Sequence, residues 1–176
     1  TECATFLEKN PDYSSVHGGI NIALGVEINS GQHHIQSARP YLLKNNNLPL
    51  GSERLTSFLG PDYWVIQFAV RRTVEYQVAV VTFDDLPDRS YTEIICGCAS
   101  IIQGKAKALN RLHMVRQIHP QRNYLLNSSD WILHPNWQPS FVTFHDKLTE
   151  MLVEKEGLSS DESSENVKKA WINYLL

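Results

Sequence analysis

The chain of 176 residues has only three cysteines, Cys3, Cys96 and Cys98. That is too few for a disulfide scaffold. No apolar run approaches the roughly 18 residues that a membrane-spanning helix needs, so no membrane span is expected. There is no Gly-rich phosphate loop, no Gly-x-Ser-x-Gly elbow and no His-Glu-x-x-His helix. The seven histidines fall at no metal-ligand spacing: His33 and His34 are adjacent, His113 and His119 are six apart, and His134 and His145 stand alone. Neither metal nor cofactor is expected. From Ile94 to Ser129 there is no acidic residue, against five Lys or Arg plus His113 and His119. No base-stacking aromatics are interleaved there, so the stretch reads as a solvated helix face and no nucleic-acid partner is expected. The net charge of −3 adds no general pull toward polyanions. Thr1 is not preceded by Met and no signal-like segment follows it, which reads as a processed product or a fragment.

What is present is a β-type pattern. The apolar fraction of 42% and charged fraction of 20% suit a globular domain. The runs Tyr63–Val70 and Tyr76–Phe83 are rich in Val, Ile and aromatics and flank Arg71-Arg72-Thr73, which predicts a hairpin. Tyr91–Ile102 and Glu53–Leu59 read as further strands. Ala4–Glu8, Val16–Ile28 with its three glycines, and His34–Leu43 supply the rest, with Asn45-Asn46-Asn47 as an exposed loop. Beyond Ile102 the period becomes helical. Ala108, Leu109, Leu112, Val115 and Ile118 predict one amphipathic helix over 104–119. Two more stripes predict C-terminal helices. One holds Phe141, Phe144, Leu148, Met151 and Leu152 and closes at Gly157; the other holds Val167, Ala170, Trp171, Tyr174 and Leu175, opened by Ser159-Ser160-Asp161-Glu162. Between Leu125 and Ser140, Trp131 and Trp137 mark a loop that wraps the body.

The order of Glu53–Leu59, Asp62–Val70, Glu75–Phe83, Ser90–Ser100 and the 104–119 helix resembles the second half of a lipocalin barrel. The Gly-x-Trp opening motif of that family is absent, and so are its Asp-Tyr turn and its late Arg. The resemblance implies a mainly β fold (α+β overall). Its core is an antiparallel up-and-down β-barrel over 1–125 with a packed helix, followed by a helical extension over 126–176 on the same domain. It further implies a secreted or extracellular protein that binds a small apolar ligand of terpenoid, retinoid or fatty-acyl type.

Registered on that pattern, Leu55, Leu59, Tyr63, Val65, Gln67, Gln77, Ala79, Tyr91 and Ile95 point inward, either as a pocket lining or as filled core. Glu93 faces the cavity or, one residue out of register, water. With Tyr63 and Tyr91 it forms the candidate acid–base set of a cofactor-independent enzyme on the same ligand. A third reading is a protein–protein interaction module with a filled barrel. Cys3 can pair with Cys96 or Cys98, or all three can be buried free thiols. Asn127-Ser128-Ser129 is a glycosylation sequon. The C-terminal helices dock on the domain or join two subunits in a homo-oligomer.

Overall fold

The computed structural model describes residues 2–60, 66, 68–81, 86–118 and 128–176. The elements in chain order are α1 (Glu2–Lys9), β1 (Tyr13–Asn29), β2 (Gln32–Leu42), α2 (Gly51–Phe58), β3 (Val70–Arg71), α3 (Thr73–Val81), α4 (Arg89–Gln103), β4 (Lys105–Ile118), α5 (Ser128–Ile132), α6 (Trp137–Glu156) and α7 (Ser160–Leu175). This is an α+β fold with more helix than strand and one open four-stranded sheet. The expected closed barrel does not form.

β1 is the centre of the sheet. Antiparallel β2 covers the Ile20–Asn29 half of one edge, and β3 covers Ser15 and Val16 on that same edge. Parallel β4 covers the other edge from Tyr13 to Gly25. A parallel neighbour requires a crossover, and the helices between β2 and β4 supply it. β1 and β2 form a true hairpin: Ser30 and Gly31 both take positive φ, 50° and 78°. Two such residues in succession match the twist of a tight hairpin.

The helices build the core. α4 lies at its centre, with Ile95, Cys98, Ala99, Ile101 and Ile102 fully buried in one cluster with Leu55 of α2 and Leu59 just past its end, Phe144, Leu148 and Leu152 of α6, and Val167 and Ala170 of α7. Asp88 caps α4, its carboxylate accepting from Ser90 N at 2.9 Å and from Trp131 Nε1 at 2.6 Å. Gly97 permits the close approach of α2, since a Cβ there would lie 2.8 Å from the Phe58 ring. Tyr91 is ringed by Trp131, Trp137, Phe144 and Trp171, with centroids 5.1 to 6.2 Å away. Trp131 and Trp137 therefore pack on the body, but from helices α5 and α6 rather than from the expected loop over 125–140.

Two expected helices stand as read. α6 ends on Gly157 in the left-handed region (φ 67°), and Ser159 accepts from Glu162 N at the start of α7. Their stripes face this chain's own α2 and α4, and Trp171 is 2% exposed.

Four expectations are corrected. The predicted hairpin over Tyr63–Phe83 is not formed where it is described: Val70–Arg71 is a two-residue edge strand and Thr73–Val81 is helical. Packing of α3 on α4, through the buried Ala79, overrides the β propensity of its valines. Arg71-Arg72 is a structural joint rather than a turn. Arg72 donates to the carbonyls of Leu7, Asn10 and Tyr13, fastening α1 to β1. Leu55, Tyr91 and Ile95, expected on strands, lie on α2 and α4, Leu59 caps the end of α2, and Ala4–Glu8 lies on α1. The predicted helix over 104–119 is strand β4. Along it, Leu109, Leu112 and Val115 sit opposite Gly18, Ile20 and Ile22. Each two-residue step of β1 thus meets three residues of β4, because β4 carries an extra residue in each interval. Two bulges have imitated a helical spacing. Finally, Asn46 is buried rather than an exposed loop residue; it bridges Ala106 in both directions and bonds Arg54 O through Nδ2.

One side chain joins most of these parts. Arg54 is 4% exposed. Its guanidinium donates to Ile101 O and Ile102 O at the end of α4, and to Leu48 O and Pro49 O ahead of α2. These carbonyls include the orphan acceptors of a helix C-terminus. The α2 N-terminus is in turn held by the Glu156 carboxylate, which accepts from Gly51 N and Ser52 N. Replacing Arg54 by Met should remove about 3 kcal/mol or more, because buried carbonyls lose their donors together. Trp171→Ala should cost about 3–5 kcal/mol through the cavity it leaves. Urea unfolding followed by tryptophan fluorescence for the first variant and by circular dichroism for the second would check both.

Candidate functional site

The described residues among those expected to line a pocket are not gathered around one. Leu55, Leu59, Ala79, Tyr91 and Ile95 meet in the helical core as packing, not around a space. Gln77 is exposed on α3. Tyr63, Val65 and Gln67 lie outside the described residues, as does Asn127 of the sequon. Glu93 is exposed on α4, two residues along a helix from buried Tyr91, so the two side chains diverge. Burial, with Asp88 nearby, pushes the Tyr91 hydroxyl well up, away from any acid–base role near neutral pH. Among the described residues no cluster of His, Cys, Asp or Glu could hold a metal ion, and no helix is long and apolar enough to cross a membrane. Cys3, Cys96 and Cys98 are free thiols; Cys96 and Cys98 lie on different sides of α4 rather than on one face of a strand, and burial pushes both thiols up.

The unusual region is the outer half of the sheet. The sheet's base is anchored: Ser14 Oγ donates to Ser100 O at 2.7 Å, and Lys105 is bonded to Asp12 by backbone and side chain. Beyond Gly19 the three long strands extend as an arm. Among the described residues β2 packs substantially on β1 alone, and no described helix packs substantially on it. A two-layer arrangement normally covers at least one face of a sheet.

Alternation along β1 sorts the arm's side chains into two faces. One face carries Ile20, Ile22, Leu24, Val26 and Ile28, with Leu42, Pro40, Ala38, Ile35 and, opposite Ile28, His33 beside them on β2, and Leu112, Val115 and, opposite Leu24, Gln117 on β4. It has no Asp, Glu, Lys or Arg among the described residues. Yet Ile35 is 65% exposed, Leu42 73%, Leu112 57% and Val115 52%. The other face is polar. Arg39 and Arg116 flank Ala23, and Gln36 donates to Glu27 at 2.7 Å. That bond also shows how the bulge at Gly25/Val26 is absorbed, with Gln36 as the extra residue. At the arm's root the aliphatic face opens into a hollow of about 520 Å³ bordered by Ile20, Leu42, Lys44, Asn45 and Leu109.

Charge divides with the architecture. β1, β2 and β4 carry Arg39, Lys105, Lys107, Arg111 and Arg116 against Glu27 alone. α6 and α7 carry seven carboxylates against four lysines. The arm residues were not singled out in the sequence as functional. The signal was there in the β1 alternation and in the hydrophobic residues of β2, but it is the lack of a covering layer that gives them meaning. Val74, Val78 and Val80 of α3 are also exposed. Residues 82–85 directly after that helix lie outside the described set, as do residues 119–127 directly after β4; the arm is the larger apolar surface among the described residues.

No protein-family model matches the chain, and neither a curated protein nor a solved structure is significantly similar to it.

Where the arm leaves the body, His17 is 1% exposed and Nδ1 donates to Gly18 O at 2.7 Å. Its ring lies 5.5 Å from that of His113 on β4. Burial, with His113 adding in the same direction, pushes His17 down to about 4, and burial lowers His113 as well. The unfolded chain takes up a proton near pH 6.5, the folded chain near 4. This contribution to stability is therefore whole above about pH 6.5 and lost as the pH falls toward about 4, on the order of 1–3 kcal/mol. Urea unfolding of wild type and His17→Gln across that range should show a shallower loss for the variant.

Proposed function

We propose that this chain is a protein–protein interaction module and that the β1–β2–β4 arm is its docking element. One observation carries the reading: among the described residues a mainly aliphatic face of a single-layer sheet is left without a covering layer, with Ile35, Leu42, Leu112 and Val115 each more than half exposed. These four side chains leave on the order of 400 Å² open, which reaches the size of patch that marks interaction sites on soluble proteins. Covering that area would contribute roughly 10 kcal/mol before the costs of association are subtracted. A pocket for a terpenoid or fatty-acyl ligand would need an enclosed interior, which an open sheet lacks, and an enzyme acting in that pocket would need it too.

The reading has a direct test. A docking face is open in the free chain, so charging it costs the fold little. Leu42→Lys and Leu112→Lys should each leave urea stability, measured in dilute solution, within about 0.5–1 kcal/mol of wild type. A loss of about 3 kcal/mol or more, independent of protein concentration, would place these side chains in the chain's own core and end the proposal.

A further inference from the structure

The occupant of the aliphatic face can be argued from the face itself, resting on the reading of the arm as a docking element. Three features bear on it. First, the face holds no Asp, Glu, Lys or Arg among its described residues, so with His33 neutral a second identical face brings no like charges together. The opposite face lacks this property, because stacking it on itself would oppose Arg39 and Arg116 to their own copies. Second, the face is mainly aliphatic, with Ile, Leu and Val on all three strands and the polar Gln117 and His33 toward its outer end. Such a surface is complementary to itself in chemistry, as a two-fold interface requires. Third, its area suffices. With the half-buried β1 row and the flanking Pro40 and Ala38, the face offers on the order of 700 Å², so two copies together would bury roughly 1,400 Å², within the range of stable interfaces.

We propose that two copies of this chain pack these faces together, sheet on sheet, about a two-fold axis. The sheets then lie about 10 Å apart with strands roughly 30° from alignment, as paired twisted sheets do. Leu42 and Ile35 of β2 and Leu112 and Val115 of β4, the exposed edges of each face, interdigitate over the partner's β1 row. Each arm supplies the layer that the other lacks.

Sedimentation of the full chain from about 1 to about 200 µM tests this. The expected result is a reversible rise to twice the chain mass. Leu42→Arg and Val115→Arg should each weaken the dimer by about 30-fold or more, since each buries an unpaired guanidinium. Arg39→Ala, on the opposite face, should leave its affinity within about threefold. Near-ultraviolet dichroism of the Trp131, Trp137 and Trp171 cluster, which sits in the helical body, confirms that each variant is folded. A chain that stays monomeric at the highest concentration overturns the proposal. So does a dimer whose affinity ignores Leu42→Arg and Val115→Arg, or one weakened as much by Arg39→Ala. None of these results touches the lysine-variant stability test, so the arm can remain a docking element for a different protein even where the second copy is excluded.

Discussion

The buried guanidinium of Arg54 is the constraint on which the rest of the structure depends. A helix that ends inside a protein leaves carbonyls in need of donors. α4 ends inside this one, directly before the backbone turns out into β4 at Gly104. Arg54 supplies four donated bonds there, two to α4 and two to the segment leading into α2. Burial disfavours the guanidinium charge, and the nearby Glu156 carboxylate works in the opposite direction. That same carboxylate caps α2, so one pair of side chains fixes the C-terminus of α4, the N-terminus of α2 and the end of α6. The point where β4 starts, and therefore its register on β1, is set by this joint together with Asn46 and Ser14.

From there the molecule separates into two regimes. The helices satisfy one another: α4 is buried nearly all round, and α6 and α7 spend their apolar stripes on it and on α2. The sheet is satisfied only at its root. Its backbone bonds are complete within the three long strands except along the outer edges, but its side chains beyond Gly19 have one another and little else. The two halves thus differ in kind, one self-sufficient and one that reaches a covered state through association.

How much of this could be read from the residues depends on whether the signal was local. α6 and α7 were legible because their boundaries are written in single residues, Gly157 and Ser159, and their stripes in ordinary helical spacing. The β1 and β2 runs were legible from alternation. The Arg71-Arg72 joint was not, because its carbonyl partners, Leu7, Asn10 and Tyr13, are about sixty residues away in the chain. α4 was misread because its β-branched and aromatic residues carry strand propensity, although its apolar residues also recur at helical spacing. A stronger cue lay just ahead of it in Asp88, a capping residue following Pro87. β4 was misread for the reverse reason: bulges at two positions spaced Leu109, Leu112 and Val115 three apart. The candidate pocket was lost among the described residues as a consequence, since Leu55, Gln77, Ala79, Tyr91 and Ile95 were assigned to strands that are helices. The arm's aliphatic face was visible as a set of residues but not as a surface, because only the fold shows that no described element lies over it.

The division of charge has its own consequence. The arm beyond Gly19 carries Arg39 and Arg116 against Glu27, with Arg111 paired to Glu2, so a small positive excess stands against the acidic helical pair and the molecule turns in the field of a charged surface before it touches. Two such arms that approach tip to tip repel at long range, although the faces that meet are neutral. Added salt shortens the reach of that repulsion to about 8 Å at physiological strength. Self-encounter through the arms therefore quickens as ionic strength rises, whereas capture of the arm by an anionic surface slows.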